Sequence, residues 1–312
     1  MNKLIVLIWV PSICCFTFSD TCSANTTGAS FLRIGVGARP VGMGSAYTAI
    51  GDEVNAMYWN PGGLANVKEH GLSAMYSKWV ADLNFNSVSY AFPIPAVNKH
   101  NIATMAVGIA SLSQGNLEGR DNNRQITGTF GASDLAVTVG YGRKADIYNR
   151  NFNIGFNTKL IYQQIESESA TGIAFDIGLQ THLFTPKLLT GISIQNLGQE
   201  MKFVNTRYNL PLNANVGFGY VFDSTILSVD FKRRLYEGDN TVSFGTEFSP
   251  IKALSLRLGY QAPSFSKNLQ MDSPIGFSLG IGLNILNATL NYAFVPYGAF
   301  GDTQRIDVSI RF

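Results

Sequence analysis

Apolar and polar residues alternate in segment after segment from Gly71 to the end of the chain. In the stretch NFNIGFNTKLIYQ, Phe156 and Leu160 belong to one face, whereas Asn157 and Lys159 belong to the other. A period of two residues is typical of a β-strand with one apolar and one polar face. The sequence predicts an all-β fold with fourteen such strands, at about 71–79, 84–93, 100–112, 133–145, 150–164, 170–183, 188–197, 211–222, 224–234, 240–249, 253–262, 273–285, 287–295 and 304–312.

The lengths and connections of these segments indicate a membrane barrel. A tilted strand needs about 9 to 11 residues to cross a bilayer, and barrels alternate short turns with longer outer loops. Here short links alternate with a set that includes the long links 113–132, 198–210 and 262–273. Charged residues make up only 14% of the chain, against about 25% in soluble domains. We therefore expect a transmembrane antiparallel β-barrel of about 14 strands at 71–312, with a soluble two-sheet protein as the alternative.

The first 24 residues have the pattern of a secretory signal peptide. Lys3 precedes a mostly apolar run, and small residues at Ser23 and Ala24 offer a cleavage site. The three cysteines lie within this segment at Cys14, Cys15 and Cys22, so the mature chain is expected to have no disulfide and no thiolate site. An exported barrel is expected in the outer membrane of a diderm bacterium, in contact with its lipid.

Residues 25–70 break the alternation and are rich in small residues. Such a segment has too few large apolar side chains to fold alone, and we expect a plug or hatch inside the barrel lumen. Within it, Ser45 to Ile50 is expected to form a short helix. GVGARP is interpreted as turn chemistry and not as a nucleotide-binding loop, and Trp59 to Leu64 is expected to lie in the lumen without forming a strand.

This opening segment resembles the PorV/PorQ family, a branch of the FadL-like fourteen-stranded outer-membrane barrels. The run GARPVGMG, the step from Asp52 to Asn55 and the box WNPGGL carry the resemblance. Gly62 is a small departure, because the wider FadL-like group typically has alanine after this proline. The resemblance marks eleven residues as structural or as ligand or partner contacts: Arg39, Pro40, Gly42, Gly44, Asp52, Asn55, Trp59, Asn60, Pro61, Gly62 and Leu64. The terminal Phe312 resembles the assembly signal of outer-membrane barrels.

The resemblance implies two functions, which the sequence does not separate. PorV/PorQ-like barrels dock or shuttle exported proteins at a type IX-like secretion or surface-attachment system, and this is the leading expectation. The alternative is FadL-like transport of hydrophobic small molecules through a plug-gated lumen, which an apolar pocket beneath the plug would favour. A structural barrel without traffic is the third class.

Other chemistries have no motif in this sequence. His70, His100 and His182 are the only histidines, and none has metal-ligand spacing to another histidine or to a carboxylate pair. The net charge of +2, with scattered basic residues, gives no case for nucleic acid binding. We expect no enzyme activity, no catalytic residue, no metal and no cofactor.

Overall fold

The computed structural model describes residues 27–94, 103–120, 123, 125–147, 150–262, 276–298 and 301–312. The predicted signal peptide, its cysteines and His100 lie outside the described residues.

Fourteen strands of the described chain form a closed antiparallel barrel. Each strand pairs with its neighbours along the sequence, and the last strand pairs with the first, so that Gly71 lies opposite Arg311. This confirms the predicted fold class. The barrel strands are β1 Gly71–Lys78, β2 Asn84–Ile94, β3 Ala103–Arg120, β4 Ile126–Ile147, β5 Arg150–Ile165, β6 Glu168–His182, β7 Leu188–Gly198, β10 Asn213–Val221, β11 Thr225–Arg234, β12 Asn240–Ile251, β13 Leu254–Ala262, β14 Phe277–Ile285, β15 Ala288–Pro296 and β16 Asp302–Arg311.

The barrel is apolar outside and polar inside. On β5 the ring of Phe156 is 44% exposed, whereas Asn157 beside it is fully buried in the lumen. The same holds for β10, where Phe218 faces outward and Asn215 is buried. An outward band of large apolar side chains meets lipid without cost, while a polar lumen satisfies its own groups.

Two of the predicted long loops are largely strand. Residues 113–132 were expected as a loop, but β3 extends to Arg120 and β4 starts at Ile126, so the two strands continue as a ribbon beyond the rim of the barrel. Polar residues form a ladder there because backbone pairing between the two strands does not need an apolar face. The link 198–210 contains a small hairpin, β8 Met201–Phe203 and β9 Thr206–Tyr208. Most of the link 262–273 lies outside the described residues.

Residues 27–70, which we call the lumenal segment, contain short helices inside the barrel. Its one α-helix in the described chain is α1, Ala38–Gly42, and its 3₁₀ helices are Ser30–Arg33, Val54–Tyr58 and Pro61–Asn66. A further 3₁₀ turn, Val80–Asp82, lies in the β1–β2 link. Within the described residues, no helix is both long and apolar enough to cross a membrane.

The prediction of a helix over Ser45 to Ile50 is wrong. The prediction that GVGARP forms only turns is also wrong. Ser45 has a φ of 67° and Gly44 a φ of 64°, which places both in the left-handed region, and turns follow instead of a helix. The helical turn lies earlier, at α1, where Pro40 takes an early position that costs no hydrogen bond.

Candidate functional site

The lumenal segment touches the barrel wall backbone against backbone. Glycines of the wall stand at the closest approaches. A β-carbon at Gly178 would collide with the amide oxygen of Asn60, one at Gly155 with the backbone of Pro61, and one at Gly259 with the backbone of Gly44. Inward-facing glycines of the strands therefore make room for the lumenal segment, and this explains why they occupy the polar face.

Asn60 holds the WNPGGL box in place. Its side-chain oxygen accepts from the Gly62 backbone N–H at 3.0 Å, which caps the helix Pro61–Asn66. Its amide nitrogen donates to the Thr48 carbonyl at 2.8 Å and to the Leu179 carbonyl of β6 at 3.0 Å. Asn60 is fully buried, and both polar atoms of its side chain form hydrogen bonds that stabilise the structure.

Trp59 joins the box to the interior of the lumen. Its indole N–H donates to the Val36 carbonyl at 2.8 Å, and its ring meets the edge of Tyr47 at a centroid distance of 6.2 Å. The Trp59 carbonyl accepts from Gln195 of β7 at 2.9 Å. The Lys232 ammonium lies 5.7 Å from the centroid of the same ring.

An ion-pair network, buried except for Asp52, fastens α1 to the wall. Arg39 donates to both carboxylate oxygens of Glu247 on β12, at 2.8 and 2.9 Å, and to Asp52 at 2.6 Å. Arg257 of β13 donates to the same Glu247 carboxylate at 2.6 Å. Burial opposes the charge on Arg39, but the carboxylates of Asp52 and Glu247 outweigh it and raise the pKa of Arg39 well above its usual value.

Glu53 lies beside this network with a different balance. Its carboxylate accepts from the Tyr47 hydroxyl at 3.2 Å, and Arg39 Nη1 is 3.8 Å away. Burial outweighs the attraction of Arg39 and raises the pKa of Glu53 to about 7. Burial also raises the pKa of Tyr58, to about 12. The lumenal segment is therefore held by the ionised network around Arg39 and by one carboxyl group that titrates near neutral pH.

Two further carboxylates of the wall bind the lumenal segment. Asp230 of β11 accepts from the backbone N–H groups of Tyr47 and Thr48 at 2.9 and 2.8 Å. Asp307 of β16 accepts from the Asn55 amide at 3.2 Å. Because a carboxylate accepts such hydrogen bonds strongly, these contacts fix the turns that follow α1.

A cavity of about 620 Å³ lies between the lumenal segment and the end of the barrel where the longer links gather. Its wall is apolar along Phe31, Phe85 and Leu112, while Lys232 and Arg305 bring positive charge. Such a volume, apolar with a few convergent polar groups, has the properties of a small-molecule site. An apolar pocket beneath the plug was the feature that would favour transport, and this cavity lies on the side of the longer links.

The structure brings together only part of the predicted residue set. Arg39 and Asp52 are bonded, Asn60 caps the helix that contains Pro61, Gly62 and Leu64, and Asn55 reaches β16. Gly44 and Trp59 line the cavity. A β-carbon at Gly42 would lie 3.0 Å from the Gly280 Cα, and Pro40 is buried in α1. Whether any of these residues contacts a ligand or partner stays a prediction.

Sequence reasoning did not assign the wall residues to a site. Glu247, Asp230, Lys232 and Arg305 line or anchor the interior. A signal was present, because charged residues recur on the inward face of otherwise weakly charged strands, but nothing in the pattern indicates which of them face the cavity.

Phe312 and His70 meet at the end of the barrel where β1 begins and β16 ends. The Phe312 ring stacks on His70 at a centroid distance of 5.8 Å, and its backbone N–H donates to the His70 carbonyl at 3.0 Å. His70 Nδ1 lies 2.6 Å from the Tyr90 hydroxyl. The described residues contain no group of potential ligands that could hold a metal ion. The assembly role of Phe312 stays a prediction.

Solved structures with a similar fold are outer-membrane-type channels. The P. putida toluene transporter TodX matches with a TM-score of 0.58 at 11% identity, covering 89% of this chain and 99% of its own. The monoaromatic hydrocarbon channel CymD matches with a TM-score of 0.58 at 12% identity, covering 89% and 98%. A Pseudomonas aeruginosa FadL homologue matches with a TM-score of 0.50 at 10% identity, covering 87% and 97%.

No family model and no curated protein matches this sequence. At these identities the structural likeness concerns the fold alone, which is that of the FadL-like channels. These neighbours agree in fold with the FadL-like part of the sequence resemblance, and they give no support to the PorV/PorQ branch.

Proposed function

We propose that this protein is an outer-membrane channel for small hydrophobic molecules, in which residues 27–70 act as the plug. The observation that carries the proposal is the cavity beside the lumenal segment, enclosed by a barrel with the fold of hydrocarbon channels. The outward band of apolar side chains supports a membrane location. No catalytic role is proposed, and the absence of enzyme activity stays a prediction.

The apolar wall of the cavity offers a direct test. Leu112 lines the cavity from β3, whereas Leu235 lies exposed in the β11–β12 link and outside the cavity lining. Cells of a diderm bacterium without a hydrocarbon channel would express each variant, and the uptake of radiolabelled toluene would be measured. Leu112→Asp should reduce the protein-dependent uptake, since it places a carboxylate in the apolar wall, and the control Leu235→Asp should not. Uptake that is the same with and without the wild-type protein overturns the proposal.

Docking of exported proteins at a type IX-like system is the second candidate. Its support is the PorV/PorQ resemblance together with the ribbon of β3 and β4 that projects beyond the neighbouring strands. Pairing between β2 and β3 ends at Ser113, and pairing between β4 and β5 begins at Ala132. The ribbon therefore offers unpaired backbone on both edges, which suits recognition of an extended peptide.

Replacement of residues 114–131 by a short turn separates the two candidates. In the native host, the docking function predicts that surface display of exported proteins fails while toluene uptake persists. The channel function predicts that surface display is unchanged and that uptake depends on Leu112.

A further inference from the structure

Arg305 is a buried arginine without a carboxylate partner. It projects from β16 into the lumen and is 1% exposed. The Cζ atom of its guanidinium lies 5.0 Å from the centre of the Trp79 ring. Among the described residues, nothing accepts a hydrogen bond from Nε or Nη1, and no carboxylate forms an ion pair with this side chain.

Ser77 on β1 is the cross-strand neighbour of Arg305 in the barrel register. It is fully buried, and its hydroxyl has no partner in the described part of the chain. On the other side of Arg305, its neighbour in the β15 pairing is the apolar Ala293. Arg305 Nε, Arg305 Nη1 and the Ser77 hydroxyl are thus all buried without a hydrogen-bond partner in the described part of the chain. A buried cation in this state is costly unless an anion completes the site.

The cavity that Arg305 lines has an excess of positive charge. Arg33, Lys159 and Arg234 also line it, but they are paired with Glu237, Asp176 and Asp239. Lys232 forms no ion pair among the described residues and rests over the Trp59 ring. Its neighbour Asp230 is already bonded to two backbone N–H groups of the lumenal segment. A bound solute would therefore meet two cations that lack salt-bridge partners.

The rest of the lining is strongly aromatic. Six aromatic side chains surround the cavity: Phe31, Tyr58, Trp59, Trp79, Phe85 and Tyr297. Aromatic rings prefer edge-to-face and offset contacts with another ring. A flat ring and one anionic group match this combination of walls, while a neutral hydrocarbon leaves Arg305 unsatisfied.

We propose that the cavity binds aromatic carboxylates, with the carboxylate on Arg305 and the ring among the aromatic side chains. This inference rests on the proposed channel function and adds aromatic anions to the neutral hydrophobic molecules of that proposal. The Arg305 guanidinium suits a carboxylate, because it stays charged and its hydrogen bonds to an anion are stronger than neutral ones. Lys232, which lines the same cavity, adds positive charge that attracts an anion.

Isothermal titration calorimetry on the purified full chain in detergent tests the site with three probes: benzoate, its neutral isostere benzamide, and inorganic phosphate. Benzoate should bind at least about tenfold more tightly than either of the others, because one charged hydrogen-bonded contact supports about that ratio. Equal affinity for benzoate and benzamide overturns the proposal. Equal affinity for benzoate and phosphate also overturns it, since the site would then bind an ion only.

Variants on one strand supply the matched comparison. Arg305→Gln should weaken benzoate binding at least about tenfold, whereas Arg311→Gln, exposed on the same β16, should leave it unchanged. Arg305→Lys keeps the charge but not the planar guanidinium, and its loss of benzoate affinity should be intermediate. Heat-modifiable migration confirms that each variant is folded. Benzoate binding that survives in folded Arg305→Gln refutes the assignment.

Toluene uptake in cells separates this inference from the proposed function. The wild-type protein and Leu112→Asp serve for this measurement, because Leu112 belongs to the apolar wall of the cavity and Arg305 to the proposed anion site. If the wild type takes up toluene but binds benzoate no better than benzamide, the anion site is wrong and the channel function stands. If benzoate binding depends on Arg305 but toluene uptake is absent, the hydrocarbon function is wrong.

Discussion

The lumen of this barrel has two regions of opposite construction. In the packed region, the lumenal segment and the wall meet through glycines such as Gly155 and Gly178, and charges such as those of Arg39 and Glu247 are paired. In the cavity, large aromatic side chains line open space and Arg305 and Lys232 lack salt bridges among the described residues.

The difference separates a part of the lumen that stabilises the fold from a part that, in the proposed function, receives a ligand. Close packing and satisfied polar groups make a region costly to change. Open volume and unpaired charge cost stability and are retained where something binds. We therefore expect substitutions in the packed region to affect folding and those in the cavity to affect uptake.

The largest effect is expected at Gly259 of β13. Gly259→Val places a side chain against the backbone of Met43 and Gly44, which cannot move away as a flexible side chain could. The free energy of unfolding should fall by about 3 kcal/mol, measured by thermal unfolding in detergent. Gly115→Val is the control, because a β-carbon at Gly115 has no neighbour within 4 Å. Equal stability of the two variants would show that the segment does not pack as described.

A smaller loss is expected at Asp230. Asp230→Ala leaves the buried N–H groups of Tyr47 and Thr48 without their acceptor, at a cost of about 2 kcal/mol. Asp223→Ala, a fully exposed aspartate in the β10–β11 turn, should change stability by less than about 0.5 kcal/mol. Limited proteolysis of the lumenal segment provides a second measurement, and cleavage should increase only in Asp230→Ala.

Within the packed region, the free energy of unfolding should depend on pH through Glu53. The pKa of Glu53 is raised to about 7, so the folded state binds this proton more tightly than the unfolded state. The stabilisation is complete at low pH, below the ordinary pKa of glutamate, and is lost as pH rises through about 7. Between about pH 5 and 7 the free energy of unfolding should fall by about 1 kcal/mol per pH unit.

Glu53→Gln removes the titrating group and should flatten this slope in unfolding titrations. Glu69→Gln, an exposed carboxyl at the end of the lumenal segment, should keep the slope of the wild type. A slope that persists in Glu53→Gln assigns the titration to another group.

The smallest effect on stability is expected in the cavity. Gln261 lies on β13 two residues beyond Gly259 and lines the open space. Gln261→Trp should change the free energy of unfolding by less than about 0.5 kcal/mol, although it adds a large ring. The same variant should reduce toluene uptake by filling the cavity. A loss of stability as large as that of Gly259→Val would remove the distinction between the two regions.

The barrel strands could be predicted closely, because each obeys a local rule of alternation. The predicted segment 150–164 corresponds to β5, Arg150–Ile165, and the predicted 188–197 corresponds to β7, Leu188–Gly198. The ends of β3 and β4 could not be predicted, since polar residues beyond the rim pair through the backbone alone. In the lumenal segment, the helix expected over Ser45 to Ile50 failed because the left-handed turn at Gly44 and Ser45 depends on contacts with β13 and β14.

The sequence by itself indicated a barrel of about fourteen strands with an apolar outside, because an apolar outer face and a polar inner face impose a period of two on every strand. Only the tertiary structure decided which inward-facing residues form ion pairs with the lumenal segment and which line the cavity. Glu247 and Arg305 are both charged residues on the inward face, yet one meets Arg39 and Arg257 and the other meets open space. That choice depends on where the lumenal segment lies across the barrel, and contacts between residues about two hundred positions apart leave no local pattern in the chain.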